Sequence, residues 1–218
     1  MFTIQTSTLR AAVAISQKSA NAGRPYLCAV HLAFDARGMR VEATDGYTAL
    51  LLRENRPVRQ DVPENAHDVL LPRAAVESAL KAFGRKCDLV ELSFVGDLVQ
   101  LSHDGQNFQI KPLAAKFPDF GDLVFKVVKP TMEAPFNSDL LAQITGSASS
   151  LACARNLVPI MRIAGESPQG AMIVTVQGTC ALAAYAVMPF RPNEAHWSAQ
   201  SVIDHVVKSD RQPIAQAA

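Results

Sequence analysis

The chain has 218 residues, of which 49% are hydrophobic and 19% charged, so a substantial core is expected and global disorder is excluded. Its formal net charge is +1, from 21 basic and 20 acidic residues, which excludes a uniformly basic nucleic-acid coat but not a basic face balanced by an acidic one. No apolar run approaches the roughly 20 residues a membrane helix needs, and Met1 to Arg10 lacks the layout of a signal peptide. A soluble, cytoplasmic chain of one large or two small domains is therefore expected. Cys28, Cys87, Cys153 and Cys180 form no CxxC pair, and His31, His67, His103, His196 and His205 lack metal-type spacing. No metal and no cofactor is expected.

In chain order, Phe2-Thr3-Ile4-Gln5 reads as a short strand leading into an alanine-rich helix from about Thr8 to Lys18, with Thr8 as its N-cap. Strand signals follow at Cys28–Phe34 and Met39–Ala43. A tight turn at Thr44-Asp45-Gly46 then leads into Ala49–Leu52. The string Arg10-Ala11-Ala12-Val13 returns as Arg73-Ala74-Ala75-Val76, after the strand-like Val69-Leu70-Leu71-Pro72. Pro72 suits the first turn of this second helix, which runs to about Phe83. Leu89–Phe94, Leu98–Leu101, the turn Asp104-Gly105 and Phe108–Ile110 complete the second unit. Glycine accepts the positive φ that such hairpin turns require. A third version starts near Pro135-Phe136-Asn137, with Ser138 as cap for a helix beginning at Asp139. It continues through Ile160–Ile163, Met172–Val176, the turn Gln177-Gly178 and Ala184–Met188.

The order strand-helix-strand-strand-strand thus recurs three times. It predicts an α+β chain with helices on one face of antiparallel sheets. Lys126 to Pro130 reads as a linker, Ser198 to Lys208 as a short helix, and Gln212 to Ala218 as a frayed tail.

Charge sorts by layer in this reading. Helix one carries Arg10 and Lys18, for +2. Helix two, extended to Lys86, carries Arg73, Lys81, Arg85 and Lys86 against Glu77, for +3. Helix three, Asp139 to Arg155, is neutral. A basic helical layer suits phosphate contact through one surface, and equally suits a solvated face with no partner. The catalytic search is empty: no GxSxG, no phosphate-cradling loop and no paired-carboxylate constellation occurs. No enzymatic activity is expected.

Four stretches carry a resemblance. Ala43-Thr44-Asp45-Gly46-Tyr47-Thr48-Ala49-Leu50 resembles the ATDGHRLA signature of the bacterial DNA polymerase III β subunit, the sliding clamp. Val69-Leu70-Leu71-Pro72-Arg73 is similar to that family's V-I-V-P-R-K. Phe117-Pro118-Asp119-Phe120 is similar to its R-F-P-D-Y. Ala184-Tyr185-Ala186-Val187-Met188-Pro189-Phe190-Arg191 is similar to its terminal Y-V-V-M-P-M-R. The four occur in family order and cover roughly residues 1–192.

The resemblance implies the DNA-clamp (processivity) fold. Helices would line a ring around duplex DNA, held by nonspecific backbone contacts so that the ring slides. It implies a clamp domain over 1–125 like the family's middle domain, a half-domain over 126–192 like part of its last, and a tail over 193–218. The family's other units have no counterpart here, so ring stoichiometry stays open and a homo-oligomer is expected. The resemblance also implies a hydrophobic pocket for polymerase and clamp-loader peptides. Its parts fall on Leu27, Thr44, Gly46, Tyr47, Thr48, Ala49, Pro118, Leu123, Ala186, Met188, Pro189, Phe190 and Arg191. Tyr47-Thr48 replaces the family's histidine-arginine and Ala49 its leucine, so a wider, less charged pocket is expected. The DNA-contact candidates are Arg10, Lys18, Arg24, Tyr26, Arg73, Lys81, Arg85 and Lys86. Two readings follow: an encircling processivity factor, or a non-encircling peptide-binding module of the same fold that acts as a decoy or adaptor.

Overall fold

The computed structural model describes residues 2–19, 23–35, 38–54, 68–84, 86–118, 138–151, 160–164, 172–177 and 181–187. Strand β1 (Phe2–Gln5) runs directly into helix α1 (Thr6–Ile15), followed by β2 (Ala29–Asp35), β3 (Gly38–Thr44) and β4 (Thr48–Glu54). The second unit is β5 (Val69–Pro72), α2 (Arg73–Phe83), β6 (Leu89–Val95), β7 (Leu98–His103) and β8 (Gln106–Ile110). The third has α3 (Ser138–Ser150), β9 (Ile160–Ala164), β10 (Met172–Gln177) and β11 (Ala181–Val187).

The strands form two antiparallel sheets with the orders β1-β6-β7-β8 and β5-β2-β3-β4-β11-β10-β9. Units one and two exchange their first strands: β1 pairs with β6 of unit two, and β5 pairs with β2 of unit one. Neither three-stranded meander is therefore complete without the other unit. The third unit joins through β11, which lies against β4 with Thr48 opposite Val187, Leu50 opposite Tyr185 and Leu52 opposite Ala183.

Alternation puts Leu50, Leu52, Ala183, Tyr185 and Val187 on the face that meets the helices, all at or near full burial. Each fully buried large apolar side chain here contributes about 1.5–3 kcal/mol relative to exposure. Helix α1 is buried nearly all round, at Thr6, Thr8, Leu9, Ala11, Ala12, Val13 and Ile15. It packs on the sheet and is flanked by α2 on one side and α3 on the other. Alanines at 11 and 12 allow that close approach. A buried chain of hydrogen bonds joins the units. Tyr185 Oη donates to Ser147 Oγ at 3.0 Å, because Ser147 Oγ itself donates to the Ala11 carbonyl at 2.9 Å. Gln143 Nε2 donates to the carbonyls of Ala14 and Ile15, both at 3.1 Å, and so caps the end of α1.

Several expectations are corrected. α1 begins at Thr6, so Thr8 is an interior residue and not the cap; the cap position is Gln5, with no side-chain cap bond. The helix stops at Ile15, because Ser16 is extended and the Gln17 amide donates to the Leu27 carbonyl at 2.7 Å. Lys18 is therefore off the helix. Pro72 closes β5 and holds the cap position of α2 rather than its first turn. α2 ends at Phe83, where Gly84 turns away with φ +80°, so Lys86 is off the helix too. α3 starts at Ser138, which is therefore its first helical residue rather than the residue before it, and ends at Ser150, short of Arg155. The three helices thus carry net charges of +1, +1 and −1. The strongly basic helical layer is not there. The linker, the 198–208 helix, the Gln212–Ala218 tail, the Gln177-Gly178 turn and the strand piece before α3 involve residues outside the described ones.

Candidate functional site

The β3–β4 turn is built by two short side chains. Asp45 accepts from the Tyr47 and Thr48 amides at 2.9 and 2.6 Å, and Thr44 Oγ1 donates to the Thr48 carbonyl at 2.8 Å. Thr44 Oγ1 also accepts from the Gly46 amide at 3.1 Å. Asp45 is thus a structural turn residue. Gly46 has φ +94°, and a Cβ there would meet the methyl groups of Leu27 at 3.8 and 3.9 Å. This places Leu27, from the short 3-10 turn Pro25–Cys28, against the β3–β4 turn. Gln17 ties the two pieces together. Its amide bonds the Leu27 carbonyl, and its Nε2 donates to the Asp45 carbonyl at 2.7 Å.

Tyr47 projects from this turn and is 65% exposed. Thr48 is buried, and its Oγ1 has no hydrogen-bond partner among the described residues. The β4–β11 register then sets Val187 across from Thr48 and Ala186 across from Ala49. Ala49 and Ala186 face the sheet side away from the helices, opposite to Leu50 and Tyr185. From the other direction, residues 111–118 cross back over β5, where the Leu113 amide donates to the Leu70 carbonyl at 2.8 Å. Phe117 stacks on His31 with centroids 4.5 Å apart and meets Tyr26 edge-on at 6.3 Å. Pro118 follows, half-buried. Beneath Phe117, His31 Nδ1 lies 2.7 Å from Glu42 Oε2, and Arg40 Nε is 3.4 Å from Glu42 Oε1.

The structure thus brings Leu27, Thr44, Gly46, Tyr47 and Thr48 into one turn cluster, with Ala49 and Ala186 beside it on the sheet. Pro118 follows directly on Phe117, whose ring meets Tyr26, the neighbour of Leu27. Leu123, Met188, Pro189, Phe190 and Arg191 lie outside the described residues. Two open clefts formed by described residues lie elsewhere. One lies between α1 and α2, lined by Arg10, Val13, Glu77, Leu80 and Lys81; the other lies on the outer side of the four-stranded sheet. The role of Gln17 and Gln143 as ties was not anticipated, because a lone glutamine carries no motif.

The basic candidates do not form one layer. Arg10 Nη2 donates to the Gly84 carbonyl at 2.8 Å. Arg73 is held inward, with Nε on the Val13 carbonyl at 3.1 Å and Nη1 on Glu77 at 2.7 Å. Lys81 is 74% exposed and meets the other Glu77 oxygen at 2.9 Å. The Lys81 hydrogen bond leads the effects that hold the Glu77 carboxyl below its usual range, with the Arg73 charge assisting. Lys18, Arg24 and Lys86 are exposed, Tyr26 is half-buried, and Arg85 is outside the described residues. Burial pushes the Cys87 thiol up and the Tyr185 phenol to about 12. Among the described residues no three His, Cys, Asp or Glu side chains gather as a metal site, and no helix is long and apolar enough to cross a membrane.

No protein-family model matches this chain, and no curated protein sequence matches it. Solved structures do match. The DNA polymerase sliding clamp from Pseudomonas aeruginosa superposes with a TM-score of 0.65 at 16% identity, over 88% of this chain and 66% of the clamp. The sliding clamp (DNA polymerase III subunit beta) from Bartonella birtlesii, bound to griselimycin, matches with a TM-score of 0.63 at 18% identity, over the same shares. The H. pylori beta clamp in complex with diflunisal matches at 0.69 and 10% identity. The chain therefore has the fold of the bacterial sliding clamps, at low identity. It spans 66% of their length.

Proposed function

We propose that the protein is a sliding-clamp-like processivity factor that assembles as a homo-oligomer around duplex DNA. In this role it docks polymerase and clamp-loader peptides where unit one meets unit three. The observation that carries this reading is the β4–β11 register, which sets the Tyr47-Thr48 turn beside the Ala186-Val187 strand end, with Leu27 against the same turn. Two of the four stretches that resemble the clamp family are thereby neighbours over the described part, Thr48–Leu50 against Tyr185–Val187, which supports this reading. Residues 1–125 serve as one clamp domain in this reading, and 126–192 as a half-domain joined to it, with 193–218 as a tail. Tyr47 offers an exposed aromatic wall and the half-buried Ala186 a shallow floor, with Ala49 buried beside it, which suits a peptide with a large apolar anchor. Leu123, Met188, Pro189, Phe190 and Arg191 complete the proposed pocket.

Lys18, Arg24, Lys81 and Lys86, with Tyr26 and Arg85, are the proposed DNA contacts. Arg10 and Arg73 are kept as candidates at the helix face although both also hold the fold together. The helix charges of +1, +1 and −1 favour a second reading, the non-encircling adaptor, because phosphate attraction by the helical layer is weak.

Titration with a fluorescent clamp-binding peptide from a polymerase tests the docking site. Binding is expected, and Tyr47→Ala and Ala186→Asp each weaken it at least about tenfold, or 1.4 kcal/mol. A wild-type protein that binds no such peptide overturns the docking claim. Salt-sensitive retention on circular but not linear DNA, lowered by Lys81→Glu with Lys86→Glu, supports encirclement. Peptide binding without retention selects the adaptor.

A further inference from the structure

Strand β8 ends the four-stranded sheet, and among the described residues nothing pairs with its outer side. Exposed edges in soluble proteins are usually blunted by lysine, proline, a bulge or a covering element. β8 reads Gln106-Asn107-Phe108-Gln109-Ile110, with no charge and no proline, and its register with β7 is unbroken from His103–Gln106 to Val99–Ile110. The two-residue turn has φ +45° at Asp104 and +77° at Gly105, as a type I′ hairpin requires. In such a hairpin the pair flanking the turn is hydrogen-bonded and the bonding alternates from there. The backbone groups of Asn107 and Gln109 consequently point away from β7, to the open side.

We infer that β8 pairs antiparallel with β8 of a second copy of this chain, about a twofold axis through Phe108, to make one continuous eight-stranded sheet. Centred there, Asn107 meets Gln109 of the second copy and Gln109 meets its Asn107. Both are bonding positions, so every outward backbone group of the strand finds a partner. Side chains agree with this register. Gln100 Nε2 already donates to Ser102 and Asn107, and Gln109 Nε2 to Gln100, so the amide ladder on the outer face continues into the copy. Asp104, its side chain 88% exposed, falls beside the exposed Lys111 of the second copy, at both ends of the pair. Pro112, with no amide hydrogen, ends the pairing. α2 packs over β8 through Phe83 on Phe108, 5.2 Å between centroids. Its flank away from α1 carries Ala75, Ser78 and Ala82, so α2 itself puts nothing bulky over the edge. This contact is isologous and closes on itself. It depends on the strand edge alone and is independent of the peptide site and of DNA.

Sedimentation equilibrium of the full chain, with amide hydrogen exchange, tests it. The expected mass is an even multiple of the 23.5 kDa chain. Protection at Asn107 and Gln109 rises with protein concentration. Gln109→Pro removes the outward amide hydrogen together with the exposed side-chain bond to Gln100, and raises the dissociation constant about tenfold or more. Lys111→Glu sets like charges beside Asp104 and weakens the contact without touching the strand. A monomer at every concentration, unprotected Asn107 and Gln109 amides in an oligomer, or an oligomer indifferent to both variants overturns the pairing.

Discussion

The two sheets share one inner face and differ on the outer one. Towards the helices both present fully buried aliphatic residues, such as Leu50 and Leu52 in the seven-stranded sheet and Leu92 and Leu101 in the four-stranded sheet. On the outer side the four-stranded sheet shows exposed Thr3, Glu91, Asn107 and Gln109. On the seven-stranded sheet His31, Glu42, Ala49, Leu51 and Ala184 are buried on that side, and exposure returns only towards its other end, at Thr175 and Leu182. A repeated unit needs only its inner face to fold. What differs on the outside is therefore free to serve something else, and the proposed docking surface lies at the end of the covered face.

The largest effect is expected where unit three joins the core. Tyr185→Ala removes a fully buried ring and its bond to Ser147, and should lower stability by about 3–5 kcal/mol in urea unfolding. A loss below about 1 kcal/mol would mean that the seven-stranded sheet is not one cooperative body. The same phenol gives a pH signature. Its folded pKa of about 12 lies above the unfolded value near 10, so its contribution is whole below pH 10 and declines as pH rises towards 12. The decline should reach about 2–3 kcal/mol, and Tyr185→Phe should flatten it. Next, Glu42→Ala strands His31 under Phe117 on the covered face and should cost about 1–3 kcal/mol. On the open face, Gln100→Ala removes two exposed amide contacts and one half-buried bond to Ser102, and should stay within about 0.5 kcal/mol. If Gln100→Ala cost as much as Glu42→Ala, the contrast between the faces would fail.

The repeat, the hairpin turns and the fold class were legible because they are local. Asp45-Gly46 and Asp104-Gly105 announce turns through backbone conformations that few residues adopt, and the Arg-Ala-Ala-Val copies announce equivalent helices. The β4–β11 junction was legible only through resemblance. The strand exchange was not legible, because Phe2–Gln5 and Val69–Pro72 are four-residue strands whose patterns name no partner. The length of α1 was misread for a similar reason: Gln17 and Lys18 are good helix formers, but the Gln17 amide is claimed by Leu27, distant in sequence. Reading both helices too long placed Lys18 and Lys86 on them and produced an apparent basic layer. Arg73 illustrates the remaining gap: a cation counted as available to phosphate is spent on Val13 and Glu77.

Helix α1 is enclosed on both flanks, by α2 and by α3, with Ala11 supplying the carbonyl that ends the Tyr185–Ser147 thread. Deleting the last unit would strip one flank of α1 and leave Thr48–Glu54 as a raw apolar border, so the first two units are expected to aggregate when cut free of the third.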